Sequence, residues 1–279
     1  MSSLMLHSGA KRIAEEKLDI FPAPPATESY APVSHYELVN LVRETLAKHG
    51  VSVTTTEFGI QKGKVNGETD KGARLFGLFR TNVNEGESGD ALSLCYGLRN
   101  SYDKTMSVGF VAGSGVFVCD NLSITGEISV IHKHTPGVWD FIVPMVDSVA
   151  IVATKQHEVD KGMKQAMKDK PIDIVSGLDI LGSMAARGKL NFIGGANSQF
   201  GRAIKSWREP EHDEFKDRNF WSLYNACTHA VKRTTLNRIM TDNAAMTLYI
   251  KEKFFPKFAE ETSRVTEEMV KIRNAARVR

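Results

Sequence analysis

The chain has 279 residues, 42% hydrophobic and 25% charged, with a formal net charge of +3. These values fit one large globular domain or two smaller ones, and no internal repeat or low-complexity tract argues otherwise. No window approaches the roughly 18 apolar residues of a membrane span, and the N-terminus lacks the basic-then-apolar order of a secretory signal, so a cytoplasmic protein with no membrane partner is expected.

The charge is unevenly placed. Residues 1–130 hold 12 Lys/Arg against 15 Asp/Glu, whereas residues 131–279 hold 24 against 18. The basic second half is compatible with a polyanionic partner. Cys95, Cys119 and Cys227 lie far apart with no CxxC pair, which reads as reduced, buried thiols.

In chain order, residues 10–18 have the pattern of a short amphipathic helix. Residues 21–33 form a proline-rich connector, so 1–33 reads as an N-terminal arm, either packed on a neighbouring subunit or loose. Ser34 with Glu37 is a capping-box pattern. Leu38, Leu41, Val42 and Leu46 then define one apolar face, and Gly50 supplies the stop, which predicts a helix over 35–49. Strands follow at 51–60 and 74–81, with the polar, glycine-containing stretch 61–72 read as a flexible hairpin loop. The densest β signal is 91–126. There, short apolar runs at 91–98, 107–110 and 116–119 are separated by the charged turn Arg99-Asn100-Ser101-Tyr102-Asp103-Lys104 and by Gly113-Ser114-Gly115. The result is an α+β core over 34–135: a helix and an antiparallel meander of four to five strands. From Val138 the period changes to 3.6. Residues 136–279 read as a helical half packed on the sheet, with Pro144 marking a kink or a true start and a charged, solvated stretch over 155–170.

Several residue groups carry possible chemistry. Arg99 and Lys104 can neutralise phosphates, Asn100 and Ser101 can donate to phosphate oxygens, and Tyr102 can stack on a base. The competing reading is an ordinary hairpin with an Arg99–Asp103 ion pair. His132-Lys133-His134 puts two imidazoles at i and i+2, a usable metal spacing if Asp103, Asp120 or Cys119 supplies a third ligand, or otherwise a phosphate-facing pair. Cys119-Asp120-Asn121 reads as a core thiol followed by turn-capping residues rather than a nucleophile. No glycine motif has the context of a nucleotide-binding loop, and no cofactor is implied. Arg202, Lys205 and Arg208, interleaved with Trp207, Phe220, Trp221 and Tyr224, fit either a basic groove with stacking planes or a core with aromatic anchors.

The segments LSLCYGLRNSYDKT, GSGVFVCDN, HKHT and FWSLYNACTHAV, in that order over about 34–229, resemble domain-of-unknown-function family 932 of phages and plasmids. That resemblance implies a mobile-element setting and no defined activity. The order of helix, meander and long crossing helix is also similar to phage single-strand annealing proteins of the Erf and Red-beta type, which hold a single strand in a basic groove as rings or filaments. The combined expectation is a homo-oligomeric single-stranded DNA-binding protein, non-catalytic, with contacts from Arg99, Asn100, Ser101, Tyr102, Lys104, His132, Lys133, His134, Arg202 and Lys205. The alternatives are an accessory factor binding a host protein and a metal-dependent enzyme built on His132 and His134.

Overall fold

The computed structural model describes residues 10–81, 92–116, 121–123, 128–232 and 236–277, and these form an α+β fold. Seven described strands fill six positions of one antiparallel sheet: β1 (Lys11–Ile13), β2 (Val53–Val65), β3 (Glu68–Thr81), β4 (Leu92–Ser101), β5 (Val108–Val116), β6 (Asn121–Ser123) and β7 (Ser129–His132). Order in space follows order in sequence, and β6 and β7 share the last position because each pairs with a different end of β5. The meander is therefore wider than the four to five strands expected.

The N-terminal helix expected over 10–18 is replaced. Lys11–Ile13 pairs with Phe58, Gly59 and Ile60 of β2, and Glu15–Ile20 is a 3-10 helix that buries Leu18 completely. A helix of two turns followed by prolines is marginal alone, whereas three residues on a sheet edge gain ladder hydrogen bonds at once. These residues pack on their own chain, and Arg43 forms an ion pair with Glu15 that fixes the 3-10 turn to the first helix.

That helix, α1 (His35–Lys48), begins and ends as expected. Ser34 Oγ accepts from Glu37 N at 3.3 Å. At the other end Gly50 N donates to Ala47 O, Val51 N donates to Leu46 O, and Gly50 takes φ +70°, the left-handed turn that releases the chain into β2.

Two corrections in the sheet decide where candidate side chains point. Residues 113–115, expected as a turn, lie inside β5, where Gly113 faces Cys95 and Ser114 faces Leu94 across the ladder. Likewise β4 does not end at Leu98 but runs through Arg99 and Asn100 to Ser101. Because strand side chains alternate, Tyr96, Leu98 and Asn100 share one face, and Cys95, Arg99 and Ser101 take the other.

The first face carries Phe58, Leu75, Phe79, Tyr96, Leu98 and Phe110, covered by α1 and the first half of α2 (Val138–Lys168). α2 passes through Pro144 unbroken, so its start precedes the proline. Its last turns leave the sheet. Met163 and Met167 enter a second core formed with α3 (Ile174–Ala186), α4 (Gln199–Arg208), α5 (Phe220–Lys232) and α6 (Leu236–Phe254). α7 (Pro256–Arg277) returns along α2. On the second face of the sheet, Phe76, Leu78, Cys95 and Val111 are also buried, and Thr241 and Ala244 of α6 come over Arg99 and Val111. Among the described residues no helix is long and apolar enough to cross a membrane.

The stretch 155–170 is not wholly solvated. Gln156 and Asp160 lie on its buried face with Met163 and Met167. Ser114 Oγ donates to Asp160 Oδ2 at 2.9 Å, and with that hydrogen spent His157 Nδ1 is the donor of a 2.8 Å contact to Ser114 Oγ. Gln156 Nε2 donates to Asp160 Oδ1. Lys251 of α6, fully buried, sits 3.6 Å from the same carboxylate and donates to Thr262 Oγ1 of α7 at 2.9 Å. This cluster joins sheet, α2, α6 and α7 where the two cores meet.

Removing one partner of a buried ion pair strands the other charge without water. Lys251→Met is expected to lower unfolding free energy by about 3 kcal/mol, and adding Asp160→Asn in the same chain to recover part of that loss. Urea titrations of the single and double variants decide it: equal loss in both would show that the stranded charge is not the cause.

Candidate nucleic-acid interface

The residues expected to contact nucleic acid are separated by the alternation of β4. Asn100 is fully buried beneath the connector. Its Nδ2 donates to Val33 O at 2.6 Å and to His35 Nδ1 at 2.9 Å, and its Oδ1 accepts from His134 Nε2 at 2.7 Å. The far nitrogen of His35, Nε2, lies 2.8 Å from Gly72 O, and since a carbonyl only accepts, Nε2 is the protonated nitrogen and Nδ1 the acceptor. Burial pushes both imidazoles down to about 4. A second proton on His35 would also set an N–H against the Asn100 amide donor.

Ser101 and Tyr102 are equally committed. Ser101 Oγ donates to Met106 O and accepts from Met106 N, closing the turn. Tyr102 stacks on His35 at 3.9 Å between ring centroids, accepts from His35 N and donates to Phe21 O. Burial pushes its hydroxyl up to about 12. Tyr30 donates to Tyr102 O at 3.1 Å, and Ala31 N donates to His134 O. Asn100, Ser101, Tyr102 and His134 therefore hold the connector, α1, β3 and the approach to α2 together, and none presents a face to solvent.

The exposed part of the turn is smaller. Lys104 takes φ +61° and lays its ammonium 4.6 Å over the Tyr30 ring. Asp103 pairs with Arg74 (2.7 Å), not with Arg99, and its other oxygen accepts from Thr105 N and Oγ1. Beside this pair the β2–β3 hairpin extends to a two-residue turn at Asn66-Gly67, both at positive φ, so the stretch expected as a loop is a paired ribbon. Ribbon and turn enclose a cleft of about 450 Å³ lined by Lys62, Lys64, Thr69, Arg74, Asp103 and Thr105. Three cations face one carboxylate there. Gly63 permits the approach, because a Cβ at that position would lie 2.2 Å from Asp103 Oδ2.

The remaining candidates lie elsewhere. His132 stacks on Phe141 and its Nδ1 donates to Lys133 O, while His134 turns inward, so the two imidazoles do not share a coordinating face. Lys133 is exposed at the end of β7. Among the described residues no group of three or more His, Cys, Asp or Glu is placed to hold a metal; Cys119 and Asp120 lie outside those residues. Arg99 points to the opposite face of the sheet from Asn100, into a small pocket under α6. Arg202 spends its guanidinium on the backbone carbonyls of Ala230 and Asn197, bracing α4 against α5. Lys205 is exposed on α4 and does not line the cleft. Trp207, Phe220, Trp221 and Tyr224 are buried core anchors rather than stacking planes. Cys95 and Cys227 are buried, and Cys95 Sγ donates to Ser93 O.

Sequence reasoning passed over Lys62, Lys64 and Arg74, although Asn66-Gly67 flanked by β-favouring residues is a strong hairpin signal that would have extended both strands through them. His35 left no signal beyond its place at a helix start. No family model, curated protein or solved structure matches this chain.

The histidine network makes stability depend on pH with a definite sign. Folded, His35 and His134 stay neutral down to about pH 4; unfolded, they protonate near 6.5. In that window the unfolded chain binds more protons, so stability falls as pH falls, by up to about 1.4 kcal/mol per pH unit for each histidine, and this contribution is flat above it. His134→Gln keeps a donor on Asn100 and removes one titrating group. Its urea midpoint is expected to vary less steeply than wild type between pH 6.5 and 4; identical pH profiles would contradict the assignment.

Proposed function

We propose that the protein binds single-stranded nucleic acid, with DNA as the expected strand, through the cleft between the β2–β3 ribbon and the 102–106 turn. The observation that carries this reading is the grouping of Lys62, Lys64 and Arg74 on one open surface with the hydroxyl of Thr69. Exposed ammonium groups on an extended ribbon suit a backbone of regularly spaced phosphates, since each contact releases counterions and many weak contacts add. Thr69 supplies a neutral hydroxyl of the kind common in phosphate contacts. The phage or plasmid setting, an annealing role and a homo-oligomeric state rest on the sequence resemblances.

A labelled oligonucleotide titrated by fluorescence polarisation at several salt concentrations tests it. Wild type should bind at low salt with a linear dependence of log affinity on log salt. Lys62→Ala with Lys64→Ala should flatten the slope by about 1.4, two phosphates at about 0.7 each, whereas Lys205→Ala should leave it unchanged. Absence of binding at low salt, or an unaltered slope in the double variant, removes this function.

A protein-partner reading has one observation in its favour. In the loop joining α3 and α4, Phe192 and Ile193 are 61% and 78% exposed and adjacent, next to two glycines. Adjacent exposed apolar side chains at a loop tip are a common docking element. Phe192→Ser with Ile193→Ser should abolish stoichiometric capture of a host protein from nuclease-treated lysate; capture by both forms alike would set this surface aside.

A further inference from the structure

Arg99, like the other cations expected from the sequence, does not line the cleft, and its surroundings differ in kind. It stands opposite Gly109 in the β4–β5 ladder, and its stem lies where a Cβ at Gly109 would be, 3.3 Å from Cγ and 3.2 Å from Nε. The missing side chain lets the guanidinium lie flat across β5 toward β7. There it meets a pocket of about 70 Å³ whose walls include Val111, Ser129 and Ile131 from the sheet and Thr241 and Ala244 from α6. By volume this has room for about five waters, or for a carboxylate bearing a few carbons.

The Nε of Arg99 is buried without a hydrogen-bond partner among the described residues. Desolvation by burial lowers its basicity. An Nε–H in such a place has lost water and gained no acceptor, which is costly and is relieved by an oxyanion that bridges Nε and a terminal nitrogen. Among the described residues no second cation lines the pocket, and Val111, Ile131 and Ala244 make its wall largely apolar beside the hydroxyls of Ser129 and Thr241. One positive charge with apolar walls matches a monoanion carrying a short hydrocarbon. A phosphate dianion would arrive with more charge and more acceptors than this wall can meet.

We propose that the pocket between β5, β7 and α6 is a binding site for a small aliphatic carboxylate, held through Arg99 with its hydrocarbon against Val111, Ile131 and Ala244. The site lies on the opposite sheet face from Asn100 and shares no residue with the ribbon cleft, so it is independent of nucleic-acid binding.

The test uses the full chain and sodium propionate as probe. Thermal unfolding is followed against propionate, with sodium phosphate and sodium chloride at matched ionic strength, for wild type, Arg99→Met and Ala244→Leu. The last variant keeps the cation and fills the pocket. In wild type, propionate should raise Tm saturably, on the order of 3 °C, and neither variant should respond. Carboxyl-labelled propionate should broaden in the NMR spectrum with wild type and stay sharp with either variant. A wild type that ignores propionate, an equal rise in Arg99→Met, or a rise matched by phosphate or chloride would each overturn the proposal. Loss of nucleic-acid binding in Lys62→Ala/Lys64→Ala with the propionate response intact would separate the two sites.

Discussion

A buried primary amide must satisfy two donors and an acceptor inside the protein, and the fold around β4 is arranged to do this for Asn100. Its partners come from two distant parts of the chain: Val33 and His35, where the connector passes into α1, and His134 before α2. Each partner is constrained in return. His35 is held in one tautomer between Asn100 and Gly72, and its ring becomes the platform for Tyr102. Leaving any one of these groups unpaired costs about 1–3 kcal/mol, so the connector cannot lift away without exposing several such losses together. The network therefore ties the N-terminal residues into the fold and defines the turn that follows β4.

A second constraint is the length of α2. Its first half covers the sheet and its last turns belong to the helical core. A helix shared by two cores must pass a junction where neither core is complete. At that junction the buried face changes from apolar to polar: Gln156 and Asp160 occupy it, and Ser114, Lys251 and Thr262 converge on them. Such a cluster is worth little against an apolar replacement but fixes which surfaces meet, because its hydrogen bonds form only when sheet, α2, α6 and α7 dock in this arrangement.

Much of this was legible. Capping at Ser34, the stop at Gly50, the change of period at Val138 and the helical second half all follow from local rules, because each depends on residues adjacent in sequence. What escaped depends on length and parity. Reading Arg99–Lys104 as a turn makes all six polar side chains surface groups; extending β4 by three residues sends Asn100 inward and Arg99 to the other face. Polar residues at a strand end look alike in sequence whether they cap a core or face water, since the partners that decide the matter lie 34 to 67 residues away for Asn100 and His35. The stretch 155–170 fails for a related reason. Its net charge suggests solvation, yet Gln156, Asp160, Met163 and Met167 follow helical spacing, and that pattern rather than the charge count set the buried face.

The two cationic sites that remain open obey different electrostatics, and this separates their ligands. In the ribbon cleft the lysines are hydrated and exposed, so each contact is weak, strongly screened by salt and additive. Such a surface gains only from a ligand that carries many charges at once. Arg99 is the reverse case. The cost of stripping water from its Nε has been met by the folding of the chain, and a single anion recovers interaction where screening is weaker than at the open ribbon. A long polyanion cannot enter a pocket of this size, and a small monoanion cannot engage enough of the ribbon to be held there. Under these proposals one sheet presents a site suited to extended charge at the β2–β3 ribbon and a site suited to a single charge between β5, β7 and α6; Arg74 and Arg99 share a sheet face, so position along and across the sheet keeps the sites apart.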